Sequence, residues 1–523
     1  MEEKKVAIIG GGISGLLACK HLLEKGFKPL VFEAKSTIGG VWSQTLRSTK
    51  LQTPKSYYQF TDFPWPSSVK ETFPHNIQVM QYLTAYASHF NLLPYFKFNS
   101  NVLSIDHDDY HNDLDDDHDV WVVWGDNGGS LHDNHAKKWK VRVEDLSCHH
   151  PTKPAEVQVY EVDFVIICTG KYNLPYVPEF PKDKGLDIFS GKVLHSMEYA
   201  ALHDDEASKL ITNKNVTVVG FQKSAVDLAS EISRHNGAKH PCTVLYTRAH
   251  WTVSESLLKL NFQLLNRFGE LMIHKPGEGL LLWLLATLLS PLMWIFSKVM
   301  ETYLKWIFPL RKYNTLPDHS YLNQVVSCMT AVLPTDFYDM VKQGSLVLKK
   351  AQTYAFYKNG LIVDGTNLPM DVVIFATGFK SEQNLKNIFS SITLQKLING
   401  ESSTPFYREC IHPRIHQLAI LGYPESASNL FSIEMRSKWL AHLLAGKFKL
   451  PKIKDMEKDN INWQKCMVNY VGKRYKRSCV SVLLQIHQND QLCKDMGYNP
   501  KRKNSFFSEL FAPYSPLDYA NIK

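Results

Sequence analysis

Short apolar runs rich in β-branched residues recur along this chain, and several of them end at a glycine. Val6-Ala7-Ile8-Ile9 runs into Gly10-Gly11-Gly12-Ile13-Ser14-Gly15 and then into the apolar Leu16-Leu17-Ala18. A continuous apolar run closed by glycine predicts a buried parallel strand, and the segment after it predicts a helix. Leu30-Val31-Phe32-Glu33 reads as the next strand, and Phe164-Val165-Ile166-Ile167-Cys168-Thr169-Gly170 as a later strand of the same sheet. The pattern then repeats: Asn215-Val216-Thr217-Val218-Val219-Gly220 predicts a strand, Ser224 to Arg234 a helix, and Cys242-Thr243-Val244-Leu245-Tyr246 a strand. Asp371-Val372-Val373-Ile374-Phe375-Ala376-Thr377-Gly378-Phe379 copies the Phe164–Gly170 run and closes the second unit. Apolar positions at Val79, Leu83, Tyr86 and Phe90 predict a helix over 77–90. Segments at 102–105, 120–124 and 139–143 predict a small antiparallel excursion, and Pro175, Pro178 and Pro181 mark a linker.

The first turn carries Gly-x-Gly-x-x-Gly between strand and helix. Gly10 permits the turn, Gly12 admits a pyrophosphate against the backbone, and Gly15 lets helix and strand pack closely. Ser14 joins these residues at the helix N-terminus, where free N–H groups favour phosphate. Glu33 ends the second strand at the offset expected of a carboxylate that binds ribose hydroxyls. Beyond it, Gly40 lets the backbone pass close to a cofactor, and the Trp42 indole could cover it. In the second unit the turn is Gly220-Phe221-Gln222-Lys223-Ser224-Ala225. Gln222 replaces the second glycine, which implies a less intimate phosphate approach that Lys223 could offset with its charge. Arg248 follows the Cys242–Tyr246 strand where an acid would select NAD, so the 2′-phosphate of NADPH is expected. Gly220, Gln222, Lys223, Ser224, Arg248, Thr377 and Gly378 complete the expected cofactor-binding set. Two interleaved dinucleotide units suggest a flavin that exchanges hydride with a nicotinamide.

With 523 residues the chain exceeds one ordinary core, so several domains are expected. The net charge of +8 is scattered apart from clusters at 473–477 and 501–503, which read as solvated faces. Nine cysteines without a Cys-x-x-Cys motif argue for reduced, intracellular thiols and against a zinc site. With the phosphate-binding strand starting at Val6, no signal peptide is expected. The Asp- and His-rich stretch 106–119 lacks metal-ligand spacing and reads as a solvated hairpin insertion. Leu280 to Ser297 is almost wholly apolar, with Pro291 expected to interrupt it after Ser290. A helical insertion that covers a substrate cavity or dips into a membrane surface is expected there, with a buried core helix and a membrane span as the other readings.

Phe189-Ser190-Gly191-Lys192-Val193-Leu194-His195-Ser196-Met197-Glu198-Tyr199 fits Phe-x-Gly-x-x-x-His-x-x-x-Tyr. With the two glycine turns and Ala376-Thr377-Gly378-Phe379, the chain resembles class B flavin-dependent monooxygenases, specifically the flavin-containing monooxygenases. Leu51-Gln52-Thr53-Pro54-Lys55, Asp62-Phe63-Pro64-Trp65-Pro66, the Gly220–Ala225 turn, the apolar insertion and Pro513-Tyr514-Ser515-Pro516 are similar to the plant branch, closest to its pipecolate N-hydroxylating subgroup. The resemblance implies an α/β fold of two Rossmann-like dinucleotide-binding domains, for FAD and NADPH, the second inserted in the first. The expected boundaries are 1–180 and 376–523 for the FAD domain and C-terminal extension, with 181–375 for the NADPH domain and its apolar helical insertion near 257–312.

The mechanism it implies is NADPH- and O2-dependent oxygenation of a soft nucleophile through a C4a-hydroperoxyflavin. N-hydroxylation of a small amine or cyclic amino acid leads, with S-oxygenation of a thioether as the rival and a non-catalytic membrane-associated flavoprotein as an alternative of another class. Gln52 stands where the family often places an asparagine amide beside the flavin, and is the expected catalytic residue. Glu434 and Arg436 lie in a segment that returns toward the flavin and could be only structural, and His195 reads as an interdomain hydrogen-bonding residue. Expected partners are a small amine or thioether and O2, with no nucleic acid. The expected location is cytoplasmic, with the endoplasmic reticulum membrane as an open association.

Overall fold

The computed structural model describes residues 4–108, 137–147, 156–398, 406–472 and 482–523. Two five-stranded parallel sheets carry it. In the first, the order is Leu418–Ile420, Phe164–Ile167, Lys5–Ile9, Lys28–Phe32 and Phe96–Lys97. Lys5–Ile9 lies at the centre, pairing in parallel with Lys28–Phe32 on one side and Phe164–Ile167 on the other. The Phe164–Ile167 run is apolar at every position because both faces are covered.

The second sheet takes all its strands from between the last two strands of the first. Its order is Leu346–Lys350, Cys242–Tyr246, Val216–Val219, Val372–Phe375 and Lys192–His195. The chain therefore enters the first sheet, builds the second, and returns through Leu418–Ile420 to complete the first. The Phe-x-Gly-x-x-x-His segment supplies the edge strand Lys192–His195, paired in parallel with Val372–Phe375. Helix Lys223–Asn236 follows Val216–Val219, and helix Asn76–His89 buries Val79, Leu83 and Tyr86 in the first core.

The antiparallel excursion consists of Ser100–His107, Trp139–Asp145 and Val157–Val162. The strand expected at 120–124 lies outside the described residues, as do residues 109–119 of the Asp/His stretch and the basic cluster 473–477. Val157–Val162 was not expected because most of its side chains face solvent, which weakens its apolar pattern. The cluster 501–503 is less free than a solvated face would be, since Lys503 Nζ pairs with Asp518 at 2.7 Å.

The apolar insertion corrects a sequence expectation. Leu280–Ile307 is one helix of 28 residues, and Pro291 lies inside it. Pro291 has no N–H for the Thr287 carbonyl, but the Ser290 hydroxyl donates to that carbonyl at 3.1 Å and the helix continues. Nor is it a buried core helix: of its most apolar 18-residue window, 11% is buried. A second correction concerns the thiols. Cys19, Cys168, Cys242, Cys410, Cys466 and Cys493 are free, whereas Cys328 is disulfide-bonded, so the expectation of wholly reduced cysteines fails there.

Candidate functional site between the two glycine turns

Strand Lys5–Ile9 ends at Gly10 with φ of 108°, a left-handed conformation that glycine alone adopts without strain. A Cβ on Gly10 would sit 2.6 Å from the Cys168 carbonyl oxygen, and one on Gly15 would overlap the Gly10 carbonyl oxygen. Gly12 and Gly40 face each other: a Cβ on either meets the other's Cα, at 3.4 and 3.1 Å. The result is a slot walled by backbone alone. Helix Ile13–Glu24 begins at Gly12 with no side-chain cap, so its first N–H groups have no intrahelical partner. The Glu33 carboxylate closes the rim, accepting from Gly11 N at 2.5 Å and Lys35 N at 2.9 Å. An uncapped helix end, a slot without side chains and an adjacent carboxylate fit a dinucleotide pyrophosphate and its ribose.

Two expected members of this site have other neighbours. The Trp42 indole N–H donates to Tyr58 Oη at 2.9 Å, so the ring forms part of the protein wall. Ser14 is buried and packs against Gly422, where any Cβ would strike its hydroxyl. Gly422 is a residue that the sequence reading missed. The signal was present, since a glycine closes the apolar run Leu418–Leu421 as Gly10 closes its own strand.

The second turn repeats the construction. Gly220 has φ of 135°, and a Cβ there would sit 2.5 Å from the Ala376 carbonyl oxygen. Helix Lys223–Asn236 starts at Gln222 with no side-chain cap, and Gln222 and Ser224 are exposed at its mouth. Arg248 is exposed beyond strand Cys242–Tyr246 and has no ion pair among the described residues. Lys223 is not a free cation: its Nζ pairs with the buried Asp227 at 2.7 Å. Burial pushes the Asp227 carboxyl above its ordinary range while Lys223 opposes the shift. Asp227 was also missed, although it stands on the predicted helix four residues after Lys223.

The Thr377 hydroxyl donates to the Tyr176 carbonyl, and the Gly378 carbonyl accepts from Tyr176 N at 2.9 Å. These contacts tie the crossover between the sheets. His195 Nδ1 accepts from Met197 N at 3.2 Å, which leaves Nε2 as the protonated nitrogen facing the Gly378 carbonyl at 3.1 Å. Burial holds the imidazole below its ordinary range. His195 therefore joins the edge of the second sheet to the crossover.

Residues 47–53 bridge the two units. Arg47 pairs with Asp204 at 2.7 Å, Thr49 Oγ1 donates to Asp227 at 3.1 Å, and Lys50 pairs with Glu255 at 3.1 Å. Gln52 Oε1 accepts from Val332 N at 3.1 Å, while Thr53 Oγ1 donates to the Ala427 carbonyl at 3.1 Å. With its oxygen engaged, the half-buried Gln52 amide is fixed in orientation, and its Nε2 has no acceptor among the described residues. Glu434 and Arg436 are fully buried. Glu434 accepts from Thr61 N and Oγ1 at 2.8 and 2.5 Å, and Arg436 donates to Gln488 at 2.9 Å, so both brace the C-terminal helix Asn429–Leu444.

Residues 3–123 and 139–509 match the family described as flavin-binding monooxygenase-like. The chain belongs to that family. A relative in Arabidopsis thaliana, described as probable flavin-containing monooxygenase 1, is 37% identical over 529 residues, covering 99% of this chain and 96% of its own. Among solved structures, the S-allyl-L-cysteine S-oxygenase of Allium sativum superposes with a TM-score of 0.56 at 18% identity, covering 95% of this chain and 89% of its own. An oxidised steroid monooxygenase bound to NADP gives 0.60 at 17%, covering 84% of each chain. At these identities the two structures establish the fold. As a flavin-binding monooxygenase-like protein, the chain is a flavin-dependent oxidoreductase. That sets aside the non-catalytic reading.

Proposed function

We propose that this flavin monooxygenase oxygenates a soft nucleophile, and that the preferred reaction is N-hydroxylation of a small amine or cyclic amino acid such as pipecolate. When bound, FAD reduced by NADPH supplies the chemistry that activates O2 and transfers one oxygen atom. The first turn, with Gly10, Gly12, Gly15 and Gly40, would hold the FAD pyrophosphate, and Glu33 its ribose. The second turn, with Gly220, Gln222 and Ser224, would hold the NADPH pyrophosphate, and Arg248 its 2′-phosphate. Lys223 would contribute orientation through Asp227 rather than an unpaired charge. Ser14, Trp42, Thr377 and Gly378 would shape the walls of these sites.

The observation that carries the reading is the Gln52 amide. Its carrier loop is laced to both units, its oxygen is engaged by Val332, and its Nε2 is left as a donor. A fixed donor beside the reacting oxygen stabilises charge without reorganising as the reaction proceeds. The resemblance of the sequence as a whole to the plant subgroup that N-hydroxylates pipecolate favours nitrogen as the acceptor. Sulfur is the second reading, favoured by the likeness of fold to the Allium S-oxygenase. Turnover of pipecolate compared with that of a thioether separates the two. N-hydroxylated product is expected, and sulfoxide formation alone would sink the nitrogen assignment.

A further inference from the structure

The helix Leu280–Ile307 turns its apolar side the wrong way for a helix on a water-facing surface. Its inner stripe is Ala286, Ser297, Met300, Glu301 and Leu304, all buried. The opposite stripe is Leu281, Leu284, Leu288, Leu292, Ile295 and Val299, spaced three or four residues apart and all exposed, with Leu281 at 79% and Leu288 at 74%. A helix at a protein–water boundary carries polar residues on that face. Trp294 and Trp306 are also exposed, Trp306 at 80%. A second group adjoins it. Helix Arg267–Leu271 packs against the long helix and also against the short helix Phe506–Phe511, with the Phe268 and Phe511 rings 5.3 Å apart. On that short helix Phe506 and Phe507 stand exposed. Lys305, Arg311 and Lys312 are exposed at the C-terminal end of the long helix and form no ion pair among the described residues.

We propose that this face, from Leu281 to Trp306 with Phe506 and Phe507 beside it, lies in the surface of an anionic lipid bilayer. Exposed aliphatics backed by aromatic residues at the headgroup level, with cations at the margin, are the composition of a helix that rests in the interface plane. The helix does not cross the bilayer, because the inner stripe of its C-terminal half, from Ser297 to Leu304, is buried in the protein and tied to it. Glu301 Oε1 accepts from Tyr321 N at 3.1 Å, and Ser297 Oγ accepts from Leu322 N at 3.0 Å. Drawing the helix across a membrane would carry the buried Glu301 carboxylate and its backbone partners into hydrocarbon. A second copy of the chain is a poorer occupant than lipid. With a net charge of +8, two copies repel each other, whereas an anionic leaflet attracts each one.

The test is flotation of the FAD-loaded protein with phosphatidylcholine vesicles, with and without phosphatidylserine. Wild type should float with the vesicles that contain phosphatidylserine. The Leu284→Glu/Leu288→Glu and Phe506→Ser/Phe507→Ser variants should lose at least about tenfold in binding while keeping full flavin content and bleaching by NADPH. Carbonate at high pH should strip wild type from the vesicles. Wild type that floats with neither vesicle would overturn the proposal, with or without dimerisation by light scattering. Equal binding by wild type and both variants, or retention through the carbonate wash as for a spanning helix, would overturn it too.

Discussion

At the scale of single residues, the glycines at the first turn are fixed by what stands opposite them. A Cβ on Gly15 overlaps the Gly10 carbonyl oxygen, so Gly15→Ala should push the helix off the strand, and the purified protein should contain little flavin. Full FAD occupancy in that variant would refute the close packing. Gln52 acts, in this account, through one donated hydrogen bond. Gln52→Ala should leave reduction by NADPH intact and lower product formed per NADPH by on the order of 10²-fold, with hydrogen peroxide making up the difference. Arg248 is an exposed cation without an ion pair among the described residues. Arg248→Ala should narrow the preference for NADPH over NADH by about tenfold to a hundredfold in kcat/KM, the worth of a charged hydrogen bond. An unchanged ratio removes Arg248 from cofactor selection. Gly10, Gly15 and Gly220 were legible because strand–turn–helix packing demands glycine at fixed offsets. Gly422 and the Lys223–Asp227 spacing left a local signal too, but the contacts of Gly422 with Ser14 and of Asp227 with Thr49 were not legible, since they join segments far apart in sequence.

At the scale of elements, buried parallel strands gave the clearest signal. Cys242–Tyr246 matches the strand expected from its apolar run, and Val372–Phe375 lies within the run expected at 371–379. Both faces of these strands are covered, so the pattern is continuous and needs no partner to be read. Val157–Val162 shows the opposite case, for an edge strand open to solvent has no apolar pattern to reveal it. Pro291 was misread for a local reason. Proline removes one helical hydrogen bond, but Ser290 satisfies the carbonyl left over, and the flanking apolar residues keep the helix going. Pro291→Ala should raise thermal stability by up to about 3 kcal/mol, the intrinsic difference between the two residues inside a helix. Urea unfolding followed by circular dichroism would show it, and a loss of stability would mean that the proline sets a bend the protein needs.

At the scale of the whole molecule, the interleaving of the two sheets was legible because the strand–glycine pattern appears twice and the second copy closes before the first. The long-range ties were not. The same distant packing buries His21 and half-buries His487, which carry a pH dependence. Burial pushes His21 down to about 4 and His487 down to about 3. Both stay neutral in the folded protein, while the unfolded chain takes up protons near the ordinary histidine value of about 6.5. Their contribution is complete above that value and declines as pH falls toward 4 and then 3, because the unfolded state binds more protons throughout that window. Stability measured by urea unfolding should therefore fall steadily from pH 6.5 to pH 4. His21→Gln should flatten part of the slope, and an unaltered slope would assign it to other groups.

Two dinucleotide sites bridged by the Gln52 loop are proposed to place one atom of O2 on a soft nucleophile at the expense of NADPH. Isotopically labelled O2 tests this most directly, with the FAD-loaded protein, NADPH and pipecolate, and mass analysis of the product. One labelled oxygen atom on the substrate nitrogen is expected for each NADPH consumed. The proposal would be contradicted by NADPH oxidation whose label appears only in hydrogen peroxide, with pipecolate and a thioether both returned unchanged.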